Sequence, residues 1–120
     1  MKRFFVFLLL LFTVVSLSAC DKAVGEWKVY EIEVLGTTFQ VGEKVLGQEV
    51  TEDMLVLKIN NDNTGEKITK SGSKTTIETF TWSKEGDVYY LTLDNQTLEV
   101  KLVDKHLEVE LLGTIYRLSK

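Results

Sequence analysis

Few residues in this chain are equipped for chemistry. His106 is the only histidine and Cys20 the only cysteine among 120 residues. A zinc site takes three or four His, Cys or carboxylate ligands, and neither residue has a companion of that kind. His106 opens a strand on its polar face, beside a turn, and reads as a solvated turn residue. Two carboxylate pairs, Glu31 with Glu33 and Glu108 with Glu110, have the composition that acid–base work on a sugar uses. Residues two apart on a strand share a face because the side-chain period is two. These pairs therefore read as outward and solvated. Asn60-x-Asp62-x-Thr64-Gly65 has the outline of a calcium loop, but the position that should carry a bidentate Glu is Ser71. Asn, Asp and Gly tolerate left-handed backbone, so the stretch reads as a hairpin turn. Asn95-Gln96-Thr97 is a glycosylation sequon in form only, placed at a tight turn. No nucleophile stands with its base, and there is no phosphate loop. The expectation is a protein that is not an enzyme and holds no metal and no cofactor.

A different group could bind rather than react. Trp82, Phe80, Tyr89, Trp27 and Tyr116, with Leu91, Leu57, Val100 and Val109, could line a pocket for an apolar or planar ligand. The same residues could equally be a core. Which of the two holds depends on the elements that carry them.

Those elements read as short strands. From Gly25 onward apolar and polar residues alternate in runs separated by turn residues, and almost nothing has a helical period. The expected strands are 27–34, 54–60, 66–70, 75–83, 88–94, 97–103, 106–112 and 114–119. Leu55, Leu57 and Ile59 share a face, as do Phe80 and Trp82. So do Tyr89, Leu91 and Leu93, then Leu98, Val100 and Leu102, then Leu107, Val109 and Leu111, and finally Tyr116 and Leu118. In the first strand the parity changes between Trp27/Val29 and Tyr30/Ile32/Val34, which predicts a bulge near Val29. Residues 36–53 are less regular. They read as a hairpin of Thr37–Val41 with Lys44–Val50, or as an ordered loop, and Thr51-Glu52-Asp53 could cap one helical turn. Eight antiparallel strands with one apolar face tend to close on themselves. The expected fold is all-β, an eight-stranded antiparallel up-and-down barrel; a two-sheet sandwich fits the same alternation.

The first 19 residues are of another kind. Lys2 and Arg3 precede an apolar run, Phe4 to Leu17, broken only by Thr13 and Ser16. At about 14 residues the run is short of the ~20 that span a bilayer, and small residues follow it, as in a secretory signal. The expected division is 1–19 signal peptide, 20–24 tether and 25–120 barrel. Cleavage before Cys20 leaves 101 residues, enough for one modest core. The signal holds two of the 14 basic residues and none of the 18 acidic ones, so the mature chain carries a net charge of −6. That balance argues against a nucleic-acid partner.

Two resemblances follow from these residues. Leu17-Ser18-Ala19-Cys20 resembles the lipobox of bacterial lipoproteins, which implies a diacylglyceryl group on the Cys20 sulfur and an acylated N-terminus. In an enteric-type envelope Asp21 then resembles the inner-membrane retention residue; in a Gram-positive envelope it carries no such meaning, so the extracytoplasmic side is periplasmic or extracellular according to envelope type. Gly25-x-Trp27-Lys28, Asp62-Asn63-Thr64-Gly65, Thr81-Trp82, Gly86-Asp87 and Tyr116-Arg117-Leu118 occur in the order found in small bacterial lipocalin-like lipoproteins. The resemblance covers Gly25 to Lys120. It implies that Arg117 lies over Trp27 and closes one barrel end by a cation–π contact. It also implies that 36–53 covers one mouth as a lid or plug, with Phe39, Val41, Val45 and Leu46 inward.

The leading functional expectation is a membrane-anchored barrel on the extracytoplasmic side that holds a small hydrophobic ligand non-covalently. The alternative is a filled barrel whose acidic surface binds an envelope or host protein, such as a basic lysozyme. An interior void of a few hundred Å³ marks the first, and a filled interior the second.

Overall fold

The computed structural model describes residues 21–120; the signal sequence and Cys20 lie outside the described residues. Eleven strands follow one another: β1 (Gly25–Val34), β2 (Thr37–Gln40), β3 (Lys44–Val45), β4 (Gln48–Glu49), β5 (Leu55–Ile59), β6 (Thr64–Ser71), β7 (Lys74–Glu85), β8 (Val88–Thr92), β9 (Thr97–Val103), β10 (His106–Leu111) and β11 (Thr114–Ser119). β5 to β11 pair in sequence order, and β1 pairs with both β5 and β11. The result is a closed eight-stranded antiparallel barrel, as the alternation predicts. Closure leaves no open edge among the eight along most of the wall.

β1 is the strand that closes the wall. Trp27 and Val29 face inward, the register against β11 shifts between Val29 and Glu31, and Ile32 then faces inward. This is the bulge expected from the parity change. An extra residue lets one strand bend sharply and stay apolar inside at both ends. Gly25–Lys28 pairs with β5, and Glu31–Val34 pairs with β2.

The 36–53 region differs from the expected hairpin. Thr37–Gln40 pairs back onto β1, not onto Lys44–Val50. Lys44–Val45 and Gln48–Glu49 form their own small hairpin. Its root is tied by Gly42 N donating to Val50 O at 2.8 Å and Val50 N donating to Glu43 O at 2.7 Å. Val50 is buried, and Phe39 and Val45 lean on the core. Val41 and Leu46 do not point inward; they are 44% and 99% exposed. Thr51–Asp53 forms a turn with no helix, Met54 N donating to Thr51 O.

Leu46 belongs to a repeated device. Leu35-Gly36, Leu46-Gly47 and Leu112-Gly113 are two-residue turns in which the leucine has φ 51° each time and the glycine φ 80°, 81° and 83°. Both central residues at positive φ is the type I′ pattern that suits twisted hairpins. Leucine in a left-handed conformation costs about 1–2 kcal/mol because Cβ crowds the next carbonyl. Asparagine is better tolerated there. Leu112→Asn should therefore raise the unfolding free energy by about 0.5–1 kcal/mol, read as a higher urea midpoint at unchanged m. An unchanged or lower midpoint would contradict the strain assigned to this turn.

Candidate functional site

The residues expected to line a pocket do come together. Phe80 and Trp82 on β7, Tyr89 and Leu91 on β8, Leu57 on β5, Val100 on β9 and Val109 on β10 belong to one continuous cluster. Strand alternation aims each of them inward. The middle of the cluster is packed, while Phe80 and Trp82 keep 4% and 9% of their surface. Tyr89, Leu91, Val100, Leu107 and Leu118 are 0% exposed. A side chain beside a void wide enough for water keeps surface that water could touch, and these keep none. Small eight-stranded barrels are closed by their own side chains in this way. Trp82 is also committed: its Nε1 donates to Asn60 O at 2.9 Å.

The 60–64 turn serves that tryptophan. Asn63 Nδ2 donates to Trp82 O at 3.1 Å, and Trp82 N donates to Asn63 O at 2.9 Å. Asp62 accepts from the Thr64 amide at 3.2 Å and from the Thr64 hydroxyl. The turn's own hydrogen bonds thus fall on Asp62 Oδ1 and the Asn60 carbonyl, which fits the hairpin-turn expectation. Among the described residues no group of three or more His, Cys, Asp or Glu is placed to hold a metal.

One mouth is plugged by residues 21–24. Ala23 is fully buried, and Trp27 Nε1 donates to Ala23 O at 2.8 Å. Asp21 fastens the plug. It accepts from Ala23 N at 2.9 Å, from Lys84 Nζ at 3.0 Å and from the Tyr89 hydroxyl. Burial works against ionisation of this carboxyl, but the Ala23, Tyr89 and Lys84 bonds outweigh it and hold it below the usual carboxylate range. Burial, and then the Asp21 carboxylate, push the Tyr89 phenol up. A carboxyl held below its unfolded value of 3.8 stabilises the fold above that pH and loses the contribution as pH falls below it. Wild type should exceed Asp21→Asn by about 1–2 kcal/mol near pH 6, with the gap narrowing near pH 3. A gap that is constant across this range would contradict the ionic latch.

Arg117 is not over Trp27. On β11 Tyr116 and Leu118 face inward, so Arg117 between them faces out. The cation over the Trp27 ring is Lys120, with Nζ 5.2 Å from the centroid. Arg117 instead gathers three carboxylates: Nη1 donates to Glu31 at 2.8 Å, Nη2 to Glu33 at 2.8 Å and Nε to Glu108 at 3.2 Å. Glu31, Arg117 and Glu108 are direct cross-strand partners on β1, β11 and β10. The Glu33 bond, then those to Glu31 and Glu108, hold the guanidinium firmly charged. Glu31, Glu33 and Glu108 are outward as expected, but they are bound rather than simply solvated. Removing the cation leaves three neighbouring anions. Arg117→Met should cost about 2 kcal/mol, between an exposed pair and a buried one. In an Arg117→Met, Glu108→Gln double variant part of that loss should return, measured by urea unfolding. No recovery would mean that the arginine acts through its stem alone.

His106 also has a partner. Its ring packs against Tyr30, with centroids 4.7 Å apart and planes tilted by 43°, half-buried on the outer wall. Burial, with the Glu31 charge next, raises the Tyr30 phenol. Lys67 has no counterpart in the sequence reading. It is 9% exposed on the inner face of β6, paired to Glu78 on β7 at 3.2 Å. No apolar alternation marks this part of β6, so nothing in the pattern points to a lysine inside.

The open depressions lie on the outside. One of about 650 Å³ crosses β8 to β11 and is lined by Tyr90, Thr97, Glu99, Lys101, Glu110 and Ile115, among others. Another, of about 890 Å³, surrounds the plugged mouth at Trp27, with Lys22, Lys105 and Lys120 facing Asp87 and Asp104.

Comparison with known proteins agrees with this architecture. Residues 24–108 match the family described as lipocalin-like domain. The crystal structure of a lipocalin-like protein from Bacteroides uniformis superposes with a TM-score of 0.58 at 16% identity, over 83% of this chain and 99% of that one. An uncharacterized protein from Bacteroides eggerthii superposes with a TM-score of 0.50 at 16% identity, over 81% and 98%. No curated protein matches the sequence.

Proposed function

This chain belongs to the lipocalin-like domain family, and we propose that it is a lipid-anchored envelope protein whose filled barrel works through its outer surface by binding another protein. The observation that carries this reading is the interior, where Tyr89, Leu91, Val100, Leu107 and Leu118 are 0% exposed. An apolar carrier needs a void of a few hundred Å³ for its ligand. A rigid filled barrel instead offers a stable wall on which side chains are held in fixed array. The anchor reading rests on Leu17-Ser18-Ala19-Cys20. An inhibitor of the lipoprotein signal peptidase should leave a heavier precursor in cells, and an unchanged mass would remove the anchor from the account.

The surface offered is acidic, with a mature net charge of −6. The depression across β8 to β11 carries Glu99 and Glu110 against Lys101, with Glu108 paired to Arg117. A basic protein, such as a secreted lysozyme, fits that field. A photocrosslinking residue at Glu110, in the protein expressed in its own envelope, should capture one protein. The same residue at Lys74 should not. Equal capture from both positions, or none from either, contradicts the reading.

A second reading has one observation in its favour. The 42–50 segment is not part of the barrel's strand pairing, yet its Val45 and Val50 meet the core. If this segment lifts, the barrel is a carrier with a lid, and its interior takes a small hydrophobic molecule. A charge at Leu91 in a still-folded variant should then abolish uptake.

A further inference from the structure

We propose that the barrel mouth plugged by residues 21–24 is a bilayer-docking surface, on which the anchored domain stands with its Leu35–Leu112 end turned away from the membrane. This rests on the reading of Cys20 as the acylated residue.

The length of free tether sets how the domain sits over its anchor. A flexible tether lets a domain tumble over its anchor, reaching about 5–6 Å × √n for n residues. Here there is none. Asp21, the residue bonded to Cys20, is held to Lys84 at 3.0 Å, to Ala23 N at 2.9 Å and to the Tyr89 hydroxyl. Ala23 is fully buried, and its carbonyl is held by Trp27 at 2.8 Å. Consecutive Cα atoms lie about 3.8 Å apart, so acyl chains on residue 20 begin at the rim of this mouth. Their glycerol sits in the headgroup layer, and the rim must meet it.

The rim suits that layer. Lys22, Lys105 and Lys120 stand with Asp87, Asp104 and Ser119 around the Trp27 depression. Such a mixed rim matches zwitterionic headgroups, each with a phosphate and an amine. Lysine stems can lie along the surface while their ammonium groups reach the phosphates. The other end follows from register. Val34 pairs with Thr114 and with Thr37, and Leu111 pairs with Thr114. The Leu35-Gly36 and Leu112-Gly113 turns are therefore side by side at the far end of the wall. Their leucines are 96% and 106% exposed.

The test uses the chain from residue 20 onward, with its single thiol coupled to a maleimide lipid in phosphatidylethanolamine–phosphatidylcholine vesicles. A water-soluble amine-acylating reagent then reports each lysine by mass spectrometry, free and vesicle-bound. Acylation of Lys22, Lys105 and Lys120 should fall several-fold on coupling, while Lys44 and Lys74 stay as in solution. Replacing Asp21 by Ala should reduce that contrast, with the fold checked by its β-sheet circular dichroism. Equal protection of both sets, or full reactivity of Lys105 and Lys120 on the vesicle, overturns the proposal. Chemical coupling places the anchor directly, so this outcome is independent of whether cells acylate Cys20, which the mass of the protein extracted from membranes decides.

Discussion

Replacing Trp27 with alanine lowers the unfolding free energy by about 3–5 kcal/mol, the range for removing a buried tryptophan. Trp27 is 2% exposed and stands where three parts of the chain meet. Its ring fills the plugged end of the barrel, its Nε1 holds Ala23 O at 2.8 Å, and Lys120 covers its face. The alanine variant loses the ring contacts and also leaves the Ala23 carbonyl without its donor. Trp27→Phe separates the two losses. It keeps most of the ring and should cost only about 1–3 kcal/mol. Urea unfolding of both variants checks this, with hydrogen exchange of the Ala23 and Val24 amides as a local readout. A Trp27→Ala loss under about 1 kcal/mol would mean that the plug does not depend on this residue.

Gly65→Ala should be nearly as severe, at about 3 kcal/mol or more. A Cβ at Gly65 would run into the Phe80 ring and the Lys58 carbonyl oxygen. Neither can retreat. Phe80 is 4% exposed, and Lys58 lies in β5, whose ladder with β6 pairs it to Glu66. Here glycine is needed for close approach rather than for its backbone freedom. Gly72 is the contrasting position, with open space around it and φ +62°. Alanine there meets only backbone strain, about 1 kcal/mol. Phe80→Leu in the Gly65→Ala background should recover part of the loss, since one of the two collisions goes. Equal midpoints for Gly65→Ala and Gly72→Ala would contradict the contact.

The barrel itself was legible because its strands bury one face. Leu107, Val109 and Leu111 alternate with glutamates, and the parity change after Val29 shows as a register shift between Val29 and Glu31. Residues 36–53 were not legible. Thr37–Gln40 has the same short polar pattern whether it pairs forward or back, and its turn is Leu35-Gly36, where leucine hides the signal that asparagine would give. Arg117 is a different case. The family resemblance put it over Trp27, yet the inward Tyr116 and Leu118 already required it to face out. Lys120, which took that place, lies just past the last strand, where alternation says nothing. Alternation likewise places Trp82, Tyr89 and Leu91 inside without saying whether they surround a ligand or each other.

That last distinction decides the account. Native mass spectrometry of the mature domain, residues 21–120, tests it most directly, after incubation with a total bacterial lipid extract and with a long-chain fatty acid. All of the described core lies within these residues. A filled barrel predicts the bare protein mass under both conditions. A stoichiometric adduct of a few hundred daltons, lost on denaturation, would contradict it and make the 42–50 segment the lid of a carrier.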